Sequence, residues 1–104
     1  MENEQKIILK KLVEASDGTK FQKLVWLALL EIPQGSIITY NQLAEKIGRP
    51  KAIRAVANAV GANPFAPEVP CHRVVAQNGK IGGYSGVGGI EGKRKLLNEE
   101  GIQI

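Results

Sequence analysis

Between residues 4 and 15, Ile7, Ile8, Leu9, Leu12 and Val13 recur among lysines and glutamates at helical spacing, which predicts an amphipathic helix. Ser16-Asp17-Gly18 breaks that pattern with turn-forming residues. Thr19 and Gln22 then stand at the spacing of a capping box, where each side chain serves the other's backbone N–H. A second helix is therefore expected from there to about Glu31. Its apolar run from Leu24 to Leu30 is nearly continuous, so it should be the central, buried helix. Pro33-Gln34-Gly35 ends it.

The pattern then shortens. Ser36-Ile37-Ile38 is β-branched and expected to be extended. Thr39 and Gln42 repeat the capping-box spacing, predicting a short helix from Tyr40 to Ile47 that Gly48 stops. Pro50 fits the first position of a following helix, about 50 to 61. Two short helices joined by a tight turn containing glycine make a helix-turn-helix pattern. Pro64, Pro67 and Pro70 predict a stiff, extended loop over 63–70. Val74-Val75 and Ile81 flank Asn78-Gly79, a strong hairpin signal. Glycines crowd residues 82–89, and a last helix is expected over 90–99 with Gly101 as its stop. The chain reads as one domain, 1–104, mainly α with a small β component.

Composition adds constraints rather than an identity. The chain has 104 residues, enough for one modest core, and a net charge of +4 that weakly favours a polyanion partner. No apolar run approaches the roughly 20 residues of a membrane span. Met1-Glu2-Asn3-Glu4 is acidic, unlike the basic start of a secretory signal, so a cytoplasmic location is expected. One cysteine and one histidine cannot supply an internal disulfide or a structural zinc site.

That cysteine is the candidate for chemistry. Free cysteines are often buried and inert. Here, however, Pro70-Cys71-His72-Arg73 puts the only thiol beside the only imidazole and one residue from a guanidinium. Cations near a thiol lower its pKa and favour the reactive thiolate. His72 is then the natural base for Cys71. Such a base needs an orienting carboxylate, for which Glu99 and Glu100 are candidates.

Residues 51–61 place Ile53, Val56 and Val60 on one stripe and Lys51, Arg54, Ala55 and Asn58 on the other. The second face is small apart from one long cation, which suits close approach to a nucleic-acid groove with Arg54 inserted into a base stack. The glycine-rich stretch is not a phosphate loop: Val87 stands where glycine is needed, and Arg94 where Ser or Thr is needed. Its glycines would let backbone pass close to a flat ligand, with Tyr84 placed to stack and Ser85 to hydrogen-bond.

Pro70-Cys71-His72-Arg73-Val74 resembles the active-site signature of the O6-alkylguanine-DNA alkyltransferases. Ile38-Thr39-Tyr40-Asn41-Gln42-Leu43-Ala44, Lys51-Ala52-Ile53-Arg54-Ala55-Val56 and Asn63-Pro64 resemble the family's other blocks, in its order. Gly83-Tyr84-Ser85-Gly86 and Leu96-Leu97-Asn98-Glu99-Glu100-Gly101 extend the likeness, which covers about residues 19–101.

The resemblance implies a winged helix-turn-helix domain with a short β-hairpin wing, and a helix at residues 1–18 in place of the family's separate N-terminal domain. It implies stoichiometric transfer of an alkyl group from O6-alkylguanine in double-stranded DNA to Cys71, after the nucleotide flips out of the stack. Arg54 would fill the gap left behind, with Lys51, Ala55 and Asn58 on the groove-facing helix. Tyr40 would press on the flanking phosphate and help protonate the leaving guanine. His72 would act as base through a water, oriented by Glu100. Asn63 would shape the turn before the active segment, while Val74, Tyr84 and Ser85 would contact the base. A monomer is implied, with no metal and no cofactor. Two positions depart from the family's pattern: Asn58 and Ala62 stand where it often has glycine.

Two other functions compete. Alkyltransferase-like proteins share this domain and bind alkylated DNA without repairing it, but carry tryptophan or alanine in place of the cysteine. Cys71 separates the two readings. A winged-helix regulator would explain the helix-turn-helix and the charge, but it leaves the Pro-Cys-His-Arg run without a purpose.

Overall fold

The computed structural model describes residues 2–84 and 86–104. Among these, the elements are α1 (Glu2–Ala15), α2 (Lys20–Leu29), β1 (Ile38–Thr39), α3 (Tyr40–Lys46), α4 (Ile53–Gly61), β2 (Val74–Val75) and α5 (Gly89–Glu99). A single 3₁₀ turn occupies Cys71–Arg73, and residues 77–79 form a turn in which Asn78 and Gly79 have positive φ. The domain is mainly helical with a small sheet.

Both capping boxes form. Thr19 Oγ1 accepts from the Gln22 N–H at 3.0 Å, and Gln22 Oε1 from the Thr19 N–H at 2.9 Å. Thr39 and Gln42 repeat this at 3.1 and 2.8 Å, so β1 runs directly into α3. Gly48, at φ +75°, closes α3: its N–H donates to Glu45 O at 3.0 Å and the Arg49 N–H to Ala44 O at 2.8 Å. Gly101, at φ +87°, closes α5 in the same manner, with the Ile102 N–H on Leu97 O at 2.9 Å. Only a residue without a Cβ takes such angles at little cost.

The core forms where Val25, Trp26 and Leu29 of α2 meet Leu43 and Ala44 of α3 and Val56, Ala59 and Val60 of α4. Each buried aliphatic side chain contributes about 1.5–3 kcal/mol. Trp26 fixes α2 to α4 through its indole N–H, which donates to Ala59 O at 2.8 Å. Its ring packs edge-on against Phe65, 6.2 Å between centroids. Gly18 lets that ring approach; a Cβ there would lie 2.5 Å from it. The break before α2 is thus a packing requirement as well as a turn.

Four expectations need correction. The hairpin wing with antiparallel strands is not formed among the described residues; Val74 and Val75 pair in parallel with Ile38 and Thr39. Asn78 and Gly79 do take positive φ, 69° and 74°, and the Ala76 N–H meets Lys80 O at 3.0 Å. Gly82, at φ +75°, then turns the return strand away before a ladder propagates. Residues 63–70 are coiled rather than extended, because the Asn63 side chain folds them. Pro50 lies before α4, at the second position of a turn closed by the Ala52 N–H on Arg49 O at 2.9 Å. Finally, α1 buries Val13 and part of Leu9 but leaves Ile7, Ile8 and Leu12 about half exposed. No described helix is long and apolar enough to cross a membrane.

Candidate active site

The site is built by the segment from Asn63 to Val75. Asn63 is buried at the end of α4; its Nδ2 donates to Val69 O at 2.7 Å and its Oδ1 accepts the Phe65 N–H at 2.9 Å. One side chain thereby draws both ends of the proline-containing loop together. Pro70 follows at φ −81°, ψ 67°, with the Cys71 N–H on Val69 O at 2.8 Å. This is an inverse γ-turn, which proline's fixed φ favours. The chain then enters the 3₁₀ turn Cys71–Arg73 and passes into β2.

That turn buries Cys71 and brings the next two side chains, His72 and Arg73, onto one carboxylate. Cys71 points into the domain and is 4% exposed. His72 is buried, with Nε2 2.9 Å from Glu100 Oε2 at the end of α5. Arg73 grips the same carboxylate, Nε to Oε1 and Nη2 to Oε2, both at 2.9 Å, and its Nη1 donates to Ile32 O at 2.8 Å. Glu100 therefore joins His72 to Arg73, whereas Glu99 is exposed. Burial alone would push the Glu100 carboxyl up, but the bonds from Arg73 and His72 outweigh it and hold its pKa at about 2. A carboxylate can only accept, so the ring hydrogen belongs on His72 Nε2 and the lone pair on Nδ1. Nδ1 is buried and makes no hydrogen bond to a described residue. Burial pushes the imidazole pKa down, and Arg73 and Lys93 add to this against the pull of Glu100. The ring is neutral at pH 7 and competent as a base.

This network has a measurable acid dependence. The Glu100 carboxyl falls from its ordinary 4.5 to about 2 in the folded chain. As pH drops, the unfolded chain takes the proton first, so this stabilisation is complete above 4.5 and lost toward 2. Urea unfolding should find Glu100→Gln less stable than wild type at pH 7 by about 2 kcal/mol, the scale of a lost charged hydrogen bond. The two curves should converge toward pH 2. A gap that stays constant would place the pH dependence elsewhere.

The thiol's surroundings differ from the sequence-based expectation. Burial pushes the Cys71 pKa up, and the Asn63 hydrogen bond and the charge of Lys93 oppose this without overcoming it. The cation acting on the sulfur is Lys93, while Arg73 is committed to Glu100. Lys93 was not singled out in the sequence. The available signal was its position on the inward stripe of α5, one turn before the fully buried Leu97. Burial also pushes the hydroxyls of Tyr40 and Tyr84 up, with Cys71 as a second cause for both. Tyr84 folds over Gly86, where a Cβ would lie 2.4 Å from its ring. Val74 is fully buried in the core. Ser85 lies outside the described residues.

On the other side, Lys51, Arg54, Ala55 and Asn58 are all exposed, Lys51 in the turn preceding α4 rather than on it. The opposite stripe is buried at Val56 and Val60, so α4 presents its small face outward, with Arg54 projecting. A groove of about 480 Å³ opens elsewhere, between α1 and the turn after α2; it borders Pro70 and Arg73 but not Cys71.

Residues 20–102 match the family described as 6-O-methylguanine DNA methyltransferase, DNA binding domain, and the chain belongs to that family. It is 49% identical over 97 residues to the methylated-DNA–protein-cysteine methyltransferase of Salmonella typhimurium, covering 93% of this chain and 56% of that protein. Mycobacterium tuberculosis OGT in complex with DNA superposes with a TM-score of 0.76 at 53% identity, covering 80% of this chain and 50% of that one. S. pombe Atl1, solved with damaged DNA containing O6-carboxymethylguanine, gives 0.73 at 31% identity, covering 86% of this chain and 82% of that one. The chain spans about half the length of the curated methyltransferases it matches.

Proposed function

We propose that this chain repairs duplex DNA by moving an alkyl group from O6 of guanine onto Cys71. The observation that carries the reading is the state of His72. Its Nε2 is fixed on a carboxylate that Arg73 holds ionised, and its buried Nδ1 makes no hydrogen bond to a described residue, on the residue that follows the chain's only cysteine. A thiol whose pKa burial has raised needs such a base at neutral pH.

The substrate atom is out of reach in a stacked duplex, so the nucleotide must rotate out. The exposed small face of α4 lies in the minor groove, where Lys51, Ala55 and Asn58 line the contact and Arg54 occupies the vacated space. Tyr40 meets the flanking phosphate, and Tyr84 and Ser85 hold the base. Asn63 sets the turn that aims Cys71, and the Val74 strand flanks the pocket. Nδ1 of His72 takes the thiol proton through one water, and Glu100 stabilises the imidazolium. The sulfur then attacks the alkyl carbon; the S–C bond forms as the C–O6 bond breaks, and its electron pair stays on guanine. Tyr40 supplies a proton to the guanine and is reprotonated from His72 through solvent, which closes the balance.

The product is a thioether, which His72 cannot reverse. Each monomer acts once, with no cofactor or metal, and works with the chromosomal DNA in the cytoplasm. Supplied with an excess of O6-methylguanine duplex, the protein should clear about one lesion per molecule and stop. Continued turnover would rule out covalent capture, and no clearance despite lesion binding would make it a binding-only protein.

A further inference from the structure

The helix α1 has a second face that neither the core nor the reaction uses. Lys6, Leu9, Lys10 and Val13 stand at i, i+3, i+4 and i+7 and face the domain. Val13 is fully buried, Leu9 packs against the core, and the two lysines reach Glu31 at 2.6 and 3.9 Å. Glu4, Ile7, Ile8 and Lys11 repeat that spacing on the outward side. Ile7 and Ile8 are 52% and 59% exposed, and Leu12 at their edge is 48% exposed. Glu4 and Lys11 are exposed as well, and neither side chain has a partner among the described residues. Single apolar residues on a surface are ordinary, but here adjoining ones lie between two opposite, unpaired charges.

We infer that a second copy of the chain docks on this face, the two α1 helices lying antiparallel about a two-fold axis midway between Ile7 and Ile8. The charges select that occupant. A two-fold contact must be self-complementary. Glu4 lies as many residues before this axis as Lys11 lies after it, so each acid comes opposite the partner copy's base. The isoleucines meet between the two ion pairs. A parallel pairing would instead set like charges against each other, which is costly. The patch is small: a standard interface buries about 800 Å² on each partner, and one face of a 14-residue helix offers less. The dimer is therefore weak, half formed only at ~100 µM, and the dilute chain is monomeric. None of these side chains belongs to the site around Cys71, so each copy keeps its own.

Sedimentation equilibrium on the intact chain, without DNA, tests this. Between ~10 µM and ~1 mM the average mass should climb from one chain toward two. Ile8→Lys should hold it at one chain throughout. Glu4→Lys and Lys11→Glu should each weaken pairing about fivefold, since two exposed ion pairs are lost at once. Combining Glu4→Lys with Lys11→Glu should restore it, because opposite charges again meet. These positions are exposed, so the variants keep the fold. A wild-type mass that stays at one chain up to ~1 mM, or rises past two, would overturn the proposal. So would a mass that Ile8→Lys leaves unchanged, or a double exchange no better than either single one. Transfer to Cys71 plays no part in the assay, so either result leaves that reading to be judged by its own experiment.

Discussion

Cys71→Ser is expected to reduce alkyl transfer to the uncatalysed background while leaving binding to O6-methylguanine duplex intact. The chemistry fails because a serine hydroxyl is far harder to ionise than a thiol, and His72, whose pKa burial depresses, is too weak a base to compensate. Binding survives because the exposed residues of α4 are untouched and serine fills almost the same volume in the 3₁₀ turn. Transfer is read from loss of a labelled alkyl group and binding from fluorescence anisotropy. If the serine variant still clears the lesion, the nucleophile is another residue.

Arg54→Ala should separate duplex repair from the chemistry. Extruding a nucleotide costs a few kcal/mol, and a side chain filling the vacancy offsets part of this. Losing about 2 kcal/mol of that offset would slow repair of duplex O6-methylguanine by about thirtyfold. Reaction with the free alkylated base needs no extrusion and should stay within about twofold of wild type on the same reasoning. Arg54 is exposed on α4, so its removal should not disturb the core. Equal losses on both substrates would remove its role in extrusion.

What could be read in the sequence depended on how local the determining interaction was. Thr19 with Gln22 and Thr39 with Gln42 each fix a helix start within a few residues, and both caps form as expected. The two faces of α4 follow from helical period alone. The Asn78-Gly79 turn also forms locally, but its hairpin needed a second strand, and Gly82 directs the chain away. Val74 and Val75 instead find partners in β1, a parallel pairing that no local pattern signals. Residues 63–70 read as extended because three prolines exclude helix; what coils them is one side chain, Asn63, reaching Val69.

The site divides in the same way. Cys71 and His72 were evident from adjacency, and Glu100 was one of two candidates until the end of α5 brought it within 2.9 Å of the ring. The thiol's shift runs opposite to the direction that adjacency implies. Neighbouring cations in sequence suggested a lowered pKa, but Arg73 turns to Glu100 and burial dominates at the sulfur. Lys93 stayed hidden because lysines on helices are ordinarily solvated, and only the packing of α5 against the active turn shows that this one is inside.

In the free protein Cys71 is only 4% exposed. The direct measurement is to incubate wild-type protein with duplex carrying O6-methylguanine, digest it, and weigh the peptide containing residue 71. A single added methyl on that peptide, matched by unmodified guanine in the DNA, is the expected result. An unaltered peptide with the lesion still in the DNA would contradict it.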